Sequence, residues 1–312
     1  MEYRTLGDTG LQLSILGFGA APLGNEYGDV QTAQGERAVQ TAIDNGINFF
    51  DTSPYYGRTL SEERLGKALL GKRDKVVLCT KCGRYGKESF DFSASRVMTS
   101  IDESLRRLRT DHVDMLIAHD IEFGDPEQVI GETVPAMRKL QAAGKARFIG
   151  ISGLPLNLLA EVAERAKVDF ILSYCHYNLM IRDLDRVLAP VAAANHTGLV
   201  NASPLHMGML TSAGPPSWHP APQEVKEAAT KIVQLCASRG VDVTTVSLRF
   251  CLDYPHVSST LVGMSSPAEV EQNLKAFDFT PDRELLSDIE QILAPVRDKT
   301  WHSGRGQANV QG

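Results

Sequence analysis

The sequence predicts a single (β/α)8 barrel domain spanning residues 1–312, with an N-terminal β-hairpin and long loops at the barrel mouth. Three observations carry this. Short apolar runs alternate with amphipathic stretches of helical period, the pattern of repeated βαβ units. The main rival, an open doubly wound sheet, usually starts with a G-x-G-x-x-G turn, and no such turn opens this chain. A length of 312 residues exceeds an average domain but suits α/β barrels.

The elements follow in order. Residues 2–13 (EYRTLGDTGLQL) read as a hairpin turning at GDTG, placed to plug the barrel bottom. Eight strand candidates come next: SILGFG at 14–19, INFF at 47–50, VVLCT at 76–80, VDMLIA at 113–118, RFIGIS at 147–152, VDFILS at 168–173, GLVNAS at 198–203 and SSTLVGM at 258–264. Between them, stretches such as ERAVQTAIDNG and SASRVMTSIDESLRRL place apolar residues at i, i+3, i+4 and i+7. Residues 204–223 (PLHMGMLTSAGPPSWHPAPQ) form a Pro- and Gly-rich loop after the seventh strand, and long ordered loops are usually functional.

Composition narrows the function classes. The net charge of −6 has no basic excess, so a nucleic-acid partner is not expected. Five scattered cysteines (Cys79, Cys82, Cys175, Cys236, Cys251) read as reduced core thiols rather than a disulfide framework or a metal site. MEYRTLGDTG has no apolar leader and no apolar run reaches membrane-spanning length, so the expectation is a cytoplasmic monomer or small homo-oligomer acting on a small molecule.

Barrel enzymes carry their chemistry at the C-terminal ends of strands. Asp51 follows INFF, Tyr56 lies five residues on in DTSPYYG, Lys81 follows VVLCT and His119 follows VDMLIA. Singly, these are a helix cap, a packed ring, a surface amine and a core imidazole. On three successive strands they are brought within reach of one another. A Tyr phenol titrates near ~10, too high for efficient proton transfer at neutrality. A lysine ammonium beside it lowers that value, a carboxylate orients the lysine, and an imidazole N–H holds the substrate oxygen. The set therefore suits proton transfer coupled to hydride transfer. A Schiff-base role for Lys81 is the competing mechanism.

Over nearly its whole length the chain resembles the aldo-keto reductase superfamily. The residues that carry the likeness are GFGAAPLG, GINFFDTSPYYGRTLSEERLGKAL, VVLCTKCGRYG, SIDESLRRLRTDHVDMLIAHD, GKARFIGISG, SPLHMGML and LVGMSSPAEVEQNL. Within it, AHDIEFG, ILSYCHY, NASPLHMGML and GPPSWHPA look most like the sugar 1-dehydrogenases. The resemblance implies a catalytic tetrad of Asp51, Tyr56, Lys81 and His119, and a dinucleotide extended across the barrel mouth. Ser152 and Gly153 stand where the family places a Ser-Asn pair on the nicotinamide carboxamide, and Tyr174 where many members carry a Gln. Ser203, Leu205 and Met207 match the pyrophosphate loop, with Ala202 in place of a stacking aromatic. Gly263, Met264, Ser265, Glu269, Gln272 and Asn273 match the adenosine end, where a helix starting near Pro267 offers its N–H groups to a phosphate.

NADP-selecting barrels supply a cation for the 2′-phosphate. Glu269 at that position implies NAD as cofactor, with NADP disfavoured and Lys275 near enough to soften the preference. For substrate, Asp120 and Glu122 beside His119 are either acceptors for sugar hydroxyls or solvated loop charges. Trp218 and Trp301, with His219 and His302, either close over a ligand or pack at an edge. No metal is implied. The expected reaction is NAD-dependent oxidation of an aldose, L-galactose or a relative such as L-fucose, at C1 to the aldonolactone. The alternatives are an NADPH-dependent aldehyde or ketone reductase using the same tetrad and a non-catalytic cofactor-sensing subunit.

Overall fold

Strands buried on both faces need near-continuous apolar runs, and each of the eight runs becomes one. A computed structural model describes residues 1–305. An antiparallel hairpin, β1 (Tyr3–Thr5) and β2 (Gln12–Ser14), precedes β3 (Leu16–Gly19), β4 (Phe49–Asp51), β5 (Val77–Cys82), β6 (Val113–Ala118), β7 (Ala146–Gly153), β8 (Phe170–Tyr174), β9 (Gly198–Ala202) and β10 (Ser259–Gly263). Neighbouring strands pair in parallel, and β10 pairs with both β9 and β3, which closes the barrel and leaves no edge.

Helices cover the outside. They are α1 (Thr32–Asp44), α2 (Leu60–Ala68), α3 (Ala94–Leu108), a single turn α4 (Pro126–Gln128) running through a π-helical stretch into α5 (Val134–Ala142), α6 (Leu156–Ala166), α7 (Leu184–Asn195), α8 (Gln223–Ser238), α9 (Val243–Leu252), α10 (Pro267–Leu274) and α11 (Arg283–Leu293). In α3 the Ser93 side chain accepts the Arg96 N–H, and Val97, Ile101, Leu105 and Leu108 form one buried stripe. Helix α2 meets α3 at Gly66, where a Cβ would lie 2.4 Å from the Arg107 carbonyl oxygen, so only glycine permits the approach. Helices α8 and α11 pack on each other through Val225, Ile232, Leu285, Ile289 and Leu293, together with Met209 and Leu210 of the mouth loop.

The lumen is filled, with Phe49, Cys79, Met115, Ile117, Phe170, Val200 and Leu261 in one cluster with Leu6, Leu11 and Leu13 of the hairpin. The hairpin stoppers the bottom as expected. The Asp8 N–H donates to the His196 carbonyl at 3.2 Å, and Gly7, at φ 48°, faces the Gly198 backbone.

All five cysteines are free and buried. Cys79 and Cys82 stand in a C-x-x-C spacing that looks metal-like or redox-active in isolation. On a strand, residues three apart point to opposite faces, so Cys79 enters the lumen cluster and Cys82 the outer core, and burial pushes the Cys82 thiol up to about 12. Among the described residues no helix is long and apolar enough to cross a membrane.

Leu6 is fully buried in the plug. Leu6→Ala is expected to cost about 2–5 kcal/mol in urea unfolding while leaving kcat/KM unchanged. Wild-type stability in the variant would mean the hairpin is dispensable to the core.

Candidate active site

The strand period of two puts Phe49 and Asp51, then Cys79 and Lys81, on the lumen face, so Asp51 and Lys81 emerge together at the mouth. The register pairs Asp51 with Cys79 and Lys81 with Ile117 on adjacent strands. Lys81 Nζ donates to Asp51 Oδ1 at 2.7 Å, to Asp51 Oδ2 at 2.6 Å and to the Thr52 carbonyl at 2.8 Å. All three ammonium protons are thereby satisfied with both side chains buried. Burial raises the Asp51 carboxyl above its ordinary value even though Lys81 opposes the rise.

Tyr56 sits on the turn that follows, closed by a Tyr56 N–H to Ser53 carbonyl bond of 3.1 Å. Gly57, at φ 62°, lets this turn press on Gly24, whose carbonyl oxygen would lie 2.1 Å from a Cβ. The Tyr56 ring centroid is 4.7 Å from Lys81 Nζ, and the His119 ring meets it edge-on at 5.7 Å. His119 Nδ1 lies 3.2 Å from Ser53 Oγ, and Nε2 lies 3.6 Å from Asp120 Oδ2. The four expected residues are thus together.

The electrostatics differ from expectation at one point. Lys81 was to draw the Tyr56 phenol down. Instead burial, reinforced by the carboxylates of Asp51 and Asp120, holds the phenol well above its ordinary value. Asp51, bonded to the ammonium at contact distance, itself raises the phenol. Burial, then the charges of Lys81 and Arg84, keep His119 neutral by holding its pKa well below the usual imidazole range.

Asp120 and Glu122 are not solvated loop charges. Asp120 is buried in a salt bridge with Arg84, whose guanidinium lies 3.9 Å from the Tyr55 ring centroid. Glu122 Oε1 accepts from the Leu154 N–H at 3.1 Å and from Ser303 Oγ at 2.9 Å. Burial, then the neighbouring Asp120, pushes the Glu122 carboxyl up to about 8. Its Oε2 occupies the space a side chain at position 153 would need, 2.5 Å from where a Gly153 Cβ would stand. The space left by Gly153 in place of the family's larger residue is therefore filled by a carboxyl from the loop after the preceding strand, β6. Arg84 had not been singled out; its signal was its position directly after β5 in TKCGRYG. Tyr27 was missed too, an exposed ring on the β3–α1 loop whose phenol lies near enough to Tyr56 to act on it electrostatically.

The tryptophans divide. Trp218 is exposed and lies over His219, whereas Trp301 packs edge-on against His206 at 5.4 Å and His219 at 5.0 Å. Trp301 therefore packs its own segment onto the mouth loop. His302 stays exposed and bonds the Gly304 carbonyl.

Ser152 is buried and its Oγ accepts the Asp120 N–H at 3.3 Å; Tyr174 is half-buried at the end of β8. After β9 the chain holds Ser203 at φ 59°, His206 at 50°, Met207 at 53° and Gly208 at 93°, with Leu205 half-buried between them. Left-handed non-glycine residues store about 1–3 kcal/mol each and gather at functional loops. At the end of β10, Gly263 is exposed and Met264 buried. Glu269 Oε2 accepts from the Ser265 N–H at 2.6 Å, Ser265 Oγ at 2.9 Å and the Ser266 N–H at 3.1 Å, a capping box with Ser266. The carboxylate is thus folded onto its own helix start, as a capped acidic helix start would have it. Asn273 is buried, Gln272 donates to Asp242, and Lys275 turns to Gln272 at 2.8 Å rather than toward Glu269.

Residues 15–294 match the model of the aldo/keto reductase family. An L-galactose dehydrogenase of Arabidopsis thaliana is 50% identical over 97% of this chain and 98% of its own length. A D-arabinose 1-dehydrogenase of Saccharomyces cerevisiae is 31% identical over 94% of each chain. The solved structure of an aldo-keto reductase of Bacillus halodurans in holo form superposes with a TM-score of 0.81 at 26% identity, covering 98% of this chain and 100% of that one.

Lys81→Met strands the Asp51 carboxylate in a buried site, at an expected loss of about 3–5 kcal/mol near neutral pH. A carboxyl whose folded-state pKa is raised binds its proton more tightly folded than unfolded, so this loss shrinks as pH falls through the raised value. Asp51→Asn with Lys81→Met should recover much of it. Equal stability of the single and double variants at neutral pH would contradict the pairing.

Proposed function

The chain belongs to the aldo/keto reductase family and is an NAD(P)-dependent oxidoreductase, and from that premise we propose that it oxidises an aldose, L-galactose or a relative such as L-fucose, at C1 to the aldonolactone with NAD. The observation that carries this reading is the Tyr56 phenol set between a buried Lys81–Asp51 pair and a neutral His119. The proposal for the sugar is supported by the likeness to a plant L-galactose dehydrogenase at half identity.

In this reading His119 donates from Nε2 to the anomeric oxygen, and Tyr56 as phenolate takes the proton from that hydroxyl as the C1–H bond breaks. The nicotinamide, when bound, supplies the acceptor for the hydride. Lys81 and Asp51 hold the charge balance around the phenol. Ser152, Tyr174 and the strained Ser203–Gly208 loop are the groups that would hold the cofactor's nicotinamide and pyrophosphate.

The raised phenol keeps its proton at neutral pH, so the protonated form that a second reading needs, reduction of an aldehyde by the same groups in reverse, is the one populated. Steady-state rates for a panel of aldoses with NAD⁺ and NADP⁺, against aldehydes with the reduced cofactors, separate the two. A panel in which no aldose is oxidised and aldehydes are reduced efficiently would reverse the assignment.

Two predictions follow from the residues. Tyr56→Phe keeps fold and cofactor binding while turnover falls by about 10²–10⁴. Because the phenol is raised, the phenolate fraction grows with every step from about pH 6 to about 9, so wild-type oxidation should climb across that range without levelling off. A plateau or a decline there, with chemistry rate-limiting, would remove Tyr56 as the base.

Cofactor choice rests on Glu269, whose carboxylate already occupies the N–H groups at the start of α10 that would otherwise receive a phosphate. Like charges at a partly exposed site disfavour the 2′-phosphate by about 1–3 kcal/mol, roughly 10–100-fold. Glu269→Arg should therefore shift the NADP⁺/NAD⁺ ratio of kcat/KM upward by at least about tenfold. A wild type that favours NADP⁺ would sink this account of Glu269.

A further inference from the structure

Ser53 lies in the turn between Asp51 and Tyr56, fully buried, and its side-chain hydrogen bonds run to Tyr55 and His119. Its Oγ lies 3.1 Å from the Tyr55 backbone nitrogen and 3.2 Å from His119 Nδ1. A hydroxyl carries one proton to give and two lone pairs to receive. The Tyr55 N–H can only donate, so it claims one lone pair, and two arrangements remain for the contact with histidine. With the imidazole proton on Nδ1, that N–H would donate to Oγ and the serine proton would be left buried without an acceptor. With the imidazole proton on Nε2, Ser53 donates to Nδ1, the Ser53 hydroxyl is fully matched, and the Nε2–H is left free to meet a substrate oxygen. Buried polar groups are rarely left unmatched, so the second arrangement is favoured.

The far side of the ring agrees. Nε2 faces Asp120 Oδ2 at 3.6 Å, too long for a strong bond but close enough for the carboxylate to favour a proton on that nitrogen. His119 stays neutral because burial, Lys81 and Arg84 all oppose its charging. In a neutral ring the tautomer decides whether the site meets a substrate oxygen with a donor or with a lone pair.

We propose that Ser53 is a positioning residue that holds His119 as its Nε2–H tautomer, so that the imidazole offers a donor to the oxygen on the reacting carbon. This rests on the proposed role of His119 at that oxygen, but the tautomer itself is a property of the protein alone. It is read by long-range ¹H–¹⁵N correlation on the ¹⁵N-labelled full chain, with the His119 signals identified by their loss in His119→Gln. The wild type should show a protonated Nε2 and an unprotonated Nδ1 near neutral pH. Ser53→Ala should show a mixed tautomer and a kcat lowered by roughly 3–10-fold, the worth of one hydrogen bond, with KM little changed. Ser53→Thr, which keeps the hydroxyl, should restore both. A wild type with its proton on Nδ1, or a Ser53→Ala variant with wild-type tautomer and kcat, would overturn the proposal. If Ser53→Ala does not fold, the wild-type spectrum still decides. If no aldose is turned over, the tautomer result stands apart from the failure of the functional reading.

Discussion

The buried Lys81–Asp51 pair is the constraint around which the mouth of the barrel is arranged. Two charges taken out of water at the ends of adjacent strands are tolerable only when each satisfies the other, and here the ammonium spends its three protons on Asp51 and the Thr52 carbonyl. That arrangement and burial together bear on the state of its neighbours. Burial, then the carboxylates of Asp51 and Asp120, hold the Tyr56 phenol high, so it remains protonated. The His119 imidazole is kept neutral by burial, then by the charges of Lys81 and Arg84. A neutral donor, a protonated phenol and a compensated ion pair are a proton-transfer set balanced for either direction. The direction then depends on pH and on which cofactor is bound.

A second layer of buried polar contacts positions this set from outside. Arg84 holds Asp120, Asp120 faces His119, and Ser152 accepts the Asp120 N–H. Glu122 extends the layer by taking the side-chain space at Gly153 and by holding Ser303 near the chain's end. The Arg305 N–H also bonds the Glu122 carbonyl, and Trp301 packs on the mouth loop, so the C-terminal segment is tied to the same rim that carries the left-handed residues Ser203, His206 and Met207. Strain in that loop is sustained because buried contacts on both sides over-determine it.

The strands, the hairpin plug and the meeting of Asp51, Tyr56, Lys81 and His119 were legible in the sequence. Strand runs carry their own signal, and in a barrel a polar residue just past such a run has one place to go. What was not legible depends on partners distant in sequence. Whether Asp120 is solvated or buried turns on Arg84 from another loop. The absence of a side chain at Gly153 makes sense only once Glu122 is seen filling the space. Whether Trp301 closes over a ligand or packs at an edge turns on His206 and His219, which are distant in sequence. The pairing of α8 with α11 escaped notice because an amphipathic stripe tells that a face is buried, not against what. Cys79 and Cys82 show the converse, a motif-like spacing that strand geometry dismantles.

The central claim is that a hydride leaves C1 of an aldose and goes directly to the nicotinamide, with Tyr56 handling the proton. The most direct measurement is single-turnover oxidation of L-galactose deuterated at C1, with mass analysis of the reduced cofactor. The account predicts one deuterium on the reduced nicotinamide, a primary isotope effect on the chemical step, and a transfer rate about 10²–10⁴ lower in Tyr56→Phe. Deuterium lost to solvent, or a wild-type transfer rate in the Phe variant, would contradict it.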